Sequence, residues 1–430
     1  MLLLHLSDLH FRRGEVGTAM DPNAHLRSQL LLDAEQMCSQ RGVPDAILIS
    51  GDIAFAGDLE EYAFASRWLE DLCGTCGTTL ASVFTIPGNH DVVRNVASRR
   101  MIQALHMAIK AASDIALDAT LRGLLSDAET GPFLYESLAN YNLFAEQFFC
   151  DLLPPKRTMA QRDLRLNDGS TLRLTGLNSA FVSSESDQRG DLFIDPASHQ
   201  LVRERGVERV VLCHHPPSWL RQGAALRDHL DDVARVHLFG HEHTNRIEMG
   251  RDWGRLAASA AHPDRTEAGW EPGYNVIELA VTGTGTDRHL DLRIHVRVWQ
   301  TAPDRFRPKL DRHGEDVFCQ TFKLDSWVAA PAAAEPVQGQ PTPGAMDEEH
   351  ATPEPARSDP MDTLREISVR FFKLSLSQKS AIAGKLGLLE NEDVNQPDFE
   401  RFRRVFIRAR DRGLVEKLDR AVSAAASRGR

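Results

Sequence analysis

The segment AILISGD, residues 46–52, decides how this chain is read. Four apolar residues, the length of a strand buried on both faces, run into Ser50 and Gly51 and deliver a carboxylate at Asp52. The same construction recurs along the chain. LLLHLSD (2–8) leads to Asp8 and His10, and SVFTIPGNHD (82–91) ends in Asn89, His90 and Asp91. RVVLCHHPP (209–217) carries His214 and His215, and VHLFGHEH (236–243) ends in His241 and His243. The intervening segments are long enough for helices; residues 25–41 place Leu26, Leu30, Leu31, Ala34 and Met37 on a helical repeat. Strands alternating with helices predict an α/β fold, in which ligands gather at the carboxyl ends of the strands.

Taken singly, each motif has a structural reading. Asp52 suits a turn beside Gly51, and a D-x-H pair on a strand merely shares one face. Five such endings in one chain, all rich in ligand types, form a constellation. Imidazole, carboxylate and amide oxygen together suit Zn, Mn or Fe better than Ca or Mg alone. His5, His25, His106, His199 and His237 read as packing or surface residues, and so does His262, with approach to a substrate as its alternative.

The order D-x-H, GD, GNHD, H-x-P and GH-x-H resembles the calcineurin-like metallophosphoesterase superfamily over about residues 1–300. GLNSA, RGDLFID and GYNVIEL resemble framework segments of its bacterial branch that includes cyclic-nucleotide phosphodiesterases. The resemblance implies a β-sandwich flanked by helices with the site at one edge. It also implies two divalent metal ions (Mn, Fe or Zn), one on Asp8, His10, Asp52 and His243 and the other on Asp52, Asn89, His214 and His241. His214 is preferred to His215 because the superfamily's ligand usually precedes x-Pro. His90 then faces the substrate phosphate, oriented by Asp91. In such sites two cations clamp the phosphoryl oxygens and lower the pKa of a water between them.

The rest of the chain sets the frame. Its 430 residues exceed one ordinary core, and 42% hydrophobic with 26% charged residues is a globular balance. A net charge of −11 disfavours a wholly basic nucleic-acid binder. No apolar run approaches the roughly 20 residues of a membrane span. The opening MLLLHLSDLHF reads as a buried strand rather than a signal peptide, since His5, Ser7 and Asp8 interrupt it, so a cytoplasmic location is expected. The six scattered cysteines, including the C-x-x-C of Cys73 and Cys76, read as reduced thiols.

The expected organisation is a phosphoesterase domain over residues 1–328 with a helical insertion at about 96–157. GYNVIELAV and LDLRIHVRVWQ supply late strands. A Pro-, Ala- and Glu-rich linker follows at 329–360, then a small all-helical bundle at 361–430. Ser377 is read as a helix cap there, and Gly387 and Gly413 as helix stops. Arg401, Arg403, Arg404, Arg408, Arg410 and Arg412 read as a solvated or partner-docking face. This bundle resembles the death-like or effector-associated adaptor domains of bacterial conflict systems, which implies a protein partner.

The function expected first is hydrolysis of a nucleotide-type phosphoester. A DNA nuclease is the second reading, with Arg94, Arg99, Arg100 and Lys110 as its basic surface. A non-catalytic adaptor with a vestigial metal site is the third, and the complete ligand set argues against it.

Overall fold

A computed structural model describes residues 1–328 and 360–428. The linker expected at 329–360 therefore lies, but for Pro360, outside the described residues.

Thirteen strands are described: β1 Leu2–Leu6, β2 Ala46–Ile49, β3 Val83–Thr85, β4 Met159–Arg165, β5 Thr171–Leu177, β6 Val207–Cys213, β7 Val236–Phe239, β8 Arg246–Met249, β9 Gly254–Ala257, β10 Gly273–Thr282, β11 His289–Gln300, β12 Arg305–Pro308 and β13 Phe318–Lys323. They form two sheets, ordered β12-β11-β10-β1-β2-β3 with β13 also on β11, and β4-β5-β6-β7-β9-β8. β1, β2 and β3 pair in parallel, with Leu4 opposite Ile47 and Leu48 opposite Phe84. β5, β6, β7 and β9 do the same in the second sheet. Antiparallel β10 and β11, the two late strands expected from their alternation, extend the first sheet.

The sheets stack face to face. Leu172, Leu174, Val210, Leu212, Val236 and Leu238 join Leu3, Ile47 and Phe84 in one core. Alternate residues Val211, Cys213 and Phe239 point the other way, into a smaller core with Leu226 and Leu230. The pleat thus buries both faces, which is why these strands read as unbroken apolar runs.

Helices cover the outer faces. α1 Ala24–Arg41 and α2 Leu59–Thr75 flank the first sheet. A helical run follows β3: α3 Arg94–Ala97, α4 Arg100–Ala111, α5 Asp114–Ser126, α6 Thr130–Leu134 and α7 Ala139–Ala145. It occupies the stretch read as a helical insertion. α8 Gly223–Val233 lies on the second sheet. All six cysteines are free, and Cys73 and Cys76 are buried packing residues.

The C-terminal bundle comprises α9 Pro360–Phe372, α10 Leu376–Lys385, α11 Asp398–Asp411 and α12 Val415–Arg428, around Ile367, Phe371, Phe402, Phe406 and Leu418. The α10 cap is Ser375, not Ser377. Its hydroxyl accepts from the backbone of Gln378, whose side chain returns the bond, so the capping-box spacing outweighs the nearer serine. Gly387 and Gly413 do take left-handed φ of +64° and +65° beyond their helices.

The arginine-rich helix is not a free face. Arg404 and Arg408 fold onto Glu392 and Asp393, Arg412 onto Glu390, and Arg403 crosses to buried Asp151 of the two-sheet body. Arg157 reaches back to Glu400 at 2.9 Å, Lys373 to Glu70 at 2.7 Å, and Phe149 meets the edge of Phe406. Acidic residues just before the helix, with Asp151 from far along the chain, neutralise the run.

Glu146 lies in this junction, 6% exposed, with its Oε2 bonded to no described residue. Burial raises its pKa; Lys379 opposes, Asp151 and Asp398 add, and the net lies well above the carboxylate range. The folded state thus keeps a proton that the unfolded chain releases, so this contribution to stability falls as pH rises. Glu146→Gln is therefore expected to gain melting temperature over the wild type progressively from about pH 5 to about pH 8. Thermal melts across that range check it; a gain that shrinks with pH would exclude it.

Candidate metal centre

The ends of β1, β2, β3, β6 and β7 meet at one edge of the sandwich. There the chain abandons extended backbone at once. Asp8, His10, Asp52, His241 and His243 all have left-handed φ, between +45° and +70°. For residues other than glycine such conformations cost on the order of 1–3 kcal/mol each and persist only where surroundings enforce them. β1 ends at Leu6, so Asp8 and His10 reach the site through these turns and not by sharing a strand face. Gly51 and Gly88 are needed for closeness: a Cβ on Gly51 would lie 2.6 Å from His214 Nδ1, and one on Gly88 2.1 Å from Asp52 Oδ1.

The structure brings all seven expected ligands together. Asp52 Oδ2 is 3.3 Å from both His10 Nε2 and His214 Nε2, and Asp8 Oδ1 is 3.3 Å from His243 Nε2. Asn89 Oδ1 faces His214 Nε2 and His215 Nε2 at 3.1 Å and His241 Nδ1 at 3.0 Å. Both His214 and His215 thus touch Asn89, but only His214 is also within ion-pair distance of Asp52.

The outer ring nitrogens fix what the inner ones offer. His214 Nδ1 donates to the Ser50 carbonyl at 2.8 Å, and His10 Nδ1 to the His262 carbonyl at 3.4 Å. His243 Nδ1 donates to Glu267 at 2.5 Å. With those protons outside, each neutral ring turns a lone pair inward, at a carboxylate or amide oxygen. Acceptors facing acceptors need a proton or a cation between them. Burial disfavours charge on His243 and His214, yet Asp8 lifts the first to about 10 and Asp52 the second to about 9. Burial and then His214 push His241 down to about 3, and Asp52 is held well below the carboxylate range by His214 and His10 despite its burial. The groups Asp8–His10–His243, Asp8–Asp52–His214 and His214–His215–His241 could each hold a metal ion.

His90 stands at the mouth. Its backbone N–H donates to Asp52 Oδ1 at 2.8 Å, and its Nδ1 donates to the Phe55 carbonyl at 2.7 Å. Its ring lies 4.8 Å from that of His10. Asp91 does not orient this ring directly. Its carboxylate accepts from the backbones of Gly88, Ala54 and Ile53 and from Tyr62 Oη, tying the GNHD turn to the turn after Asp52. Burial, and then Asp52, raise Asp91 to about 6.

Sequence reasoning missed Glu267, Phe55 and Trp219, whose ring meets the His241 ring edge-on at 4.2 Å. Nothing local marks them, because each acts on a motif distant in the chain. His262 is buried beside Phe11 and Trp68, with Nδ1 bonded to the Leu9 carbonyl at 2.6 Å, so it props the Asp8 turn from behind.

Comparison with known proteins agrees with this geometry. Residues 1–245 match the model of the calcineurin-like phosphoesterases, and residues 363–424 that of the GTPase-associated adaptor domain. An uncharacterized metallophosphoesterase-like protein of Bacillus subtilis is 22% identical over 258 residues, 57% of this chain and 49% of that protein. A glycerophosphodiester phosphodiesterase of Enterobacter lignolyticus is 37% identical over 93 residues, 21% of this chain and 30% of that one. The chain thus spans half or less of the curated relatives it matches. Among solved structures, the inner-membrane-complex anchor GAP50 of Plasmodium matches 76% of this chain and 89% of its own at 10% identity and a TM-score of 0.39.

Glu267→Gln removes the charge behind His243 Nδ1 without changing shape. It is expected to weaken Mn²⁺ binding about 10–100-fold while leaving circular dichroism unchanged. Calorimetric titration of the metal-free chain checks this, and unaltered affinity would remove Glu267 from the site.

Proposed function

The chain belongs to the calcineurin-like phosphoesterase family, and on that premise we propose that it is a dinuclear-metal-dependent phosphodiesterase acting on a nucleotide-type phosphoester. The observation that carries this reading is the set of inward ring nitrogens of His10, His214 and His243 converging on Asp8, Asp52 and Asn89. That donor set fits two divalent cations of the Mn, Fe or Zn kind, and members of the family use divalent metal ions. Asp8, His10, Asp52 and His243 would hold one; Asp52, Asn89, His214 and His241 the other. His214 is favoured over His215 because it spans Asp52 and Asn89. When bound, the cations supply Lewis acidity toward the phosphoryl oxygens.

The protein's own groups do the rest. His90, with Nδ1 committed to Phe55, has only Nε2 with which to hold a proton toward the leaving oxygen. Asp91 fixes the turn that aims it. Walls of packed side chains keep Asp8, Asp52 and His214 out of water, so charge there acts at low dielectric. The adaptor bundle would dock a protein partner and is not needed for the chemistry.

A nuclease reading gains no support from the helical insertion. Arg94 pairs with Glu185, Arg99 with Glu136 and Lys110 with Asp191, so of the four residues expected to form that surface only Arg100 has no carboxylate partner among the described residues, a short positive track for a duplex. Among the described residues no helix is long and apolar enough to cross a membrane.

The intact chain with Mn²⁺ is expected to hydrolyse bis-p-nitrophenyl phosphate. Asp52→Ala should lose metal and essentially all turnover. His90→Ala should keep both metals and lose about 10²–10⁴-fold in kcat, the range of a proton-transferring side chain. Elemental analysis beside the assay separates the two effects. An intact chain that binds no metal would overturn the proposal.

A further inference from the structure

Two cavities on the His10 side of the metal cluster play no part in the chemistry above. The nearer, about 130 Å³, is walled by His10, Arg12, Asn23, His262 and Arg265. The farther, about 260 Å³, is walled by His25, Arg265, Trp270, Trp299 and Asp304. Arg265 belongs to both walls, so the two cavities neighbour each other at this side chain.

The farther cavity is built from fixed rings. Trp299 sits on β11, 9% exposed, edge-on to Phe306 at 5.3 Å and to His25 at 5.9 Å. Trp270 is held by its Nε1, which donates to the Pro263 carbonyl at 3.3 Å. The Arg265 guanidinium lies over the Trp270 ring at 5.8 Å and donates to the Pro22 carbonyl at 2.9 Å. Among the described residues no carboxylate pairs with Arg265, so its charge is available to an anionic ligand. Asp304 and Thr301 add polar atoms to the lining.

Two indoles and a cation in about 260 Å³ match one flat aromatic ring system, since whole small-molecule sites run to roughly 300–1,000 Å³. An opening at Asn89, about 800 Å³, has no aromatic residue in its lining; Arg94, Asn95, Ser98, Gln103, Ser184 and Ser186 line it. That opening offers no indole, whereas the farther cavity offers two.

We propose that the Trp270–Trp299 cavity binds the nucleobase of the substrate, with the sugar over the His10–Arg265 cavity and the scissile phosphate at the metal cluster. This rests on the phosphodiesterase reading, because that reading places the phosphate. Stacking on indole tolerates any base, so it selects the class and not the sequence.

The test is calorimetric titration of the full chain, Mn²⁺-loaded and carrying His90→Ala to suppress turnover, with adenosine 5′-monophosphate and with ribose 5-phosphate. The base is expected to tighten binding about tenfold, within the range stacking provides. Adding Trp270→Ala should abolish that preference, and Trp270→Phe should restore most of it. Equal affinity for the two ligands, or a preference untouched by Trp270→Ala, would overturn the proposal. Hydrolysis of methyl p-nitrophenyl phosphate by the unsubstituted chain is scored separately. Turnover without base preference removes the nucleobase cavity, whereas base preference without turnover removes the hydrolase reading.

Discussion

Asp52 holds one carboxylate oxygen at 3.3 Å from two imidazole nitrogens, and its other oxygen accepts the backbone N–H of His90 at 2.8 Å. The rest of the site is arranged around that group. It is 1% exposed, and an ionised carboxylate buried this deeply is tolerable only among compensating donors or cations. His10, His214 and His90 supply the compensation from three different strand ends, so they must all be delivered to one point. The sandwich does this by ending five strands at the same edge. Once there, the chain needs left-handed turns to bring the side chains inward.

The strain of those turns is spread across the site and offset by packing behind it. His262 braces the Asp8 turn through Leu9, and Asp91 binds the turn after Asp52 to the GNHD turn with three backbone hydrogen bonds, Tyr62 adding a fourth from α2. Such bracing positions ligands without touching them, and it explains why buried polar residues cluster beneath the centre. It also gives His90 its freedom at Nε2, because the Phe55 carbonyl and not Asp91 occupies the other nitrogen.

The adaptor bundle follows the same physics at a different place. Its arginines are numerous, but Asp151, Glu390, Glu392, Asp393 and Glu400 take up most of that charge. One of those pairs crosses to the phosphoesterase body beside Phe149 and Phe406, so charge and aromatic contact act together at the junction. In that junction Glu146 keeps its Oε2 buried with no hydrogen-bond partner among the described residues.

The order of motifs from Asp8 to His243 was legible because apolar strand-length runs and metal-ligand residues are local patterns. So were the late strands, the helical run after β3 and the helical end of the chain, since periodicity needs no knowledge of neighbours. Ser375 was misread as Ser377 because two serines compete for one helix start, and only the reciprocal bond from Gln378 chooses between them. The D-x-H pair looked like one face of a strand, whereas the strand stops at Leu6 and the turn does the work. What only the tertiary structure decided were the long-range juxtapositions: Glu267 behind His243, Phe55 behind His90, Asp151 across from Arg403, and Trp270 lining one cavity with Trp299. Sequence records which side chain each position carries, while a contact between positions far apart in the chain depends on how whole sheets and helices stack.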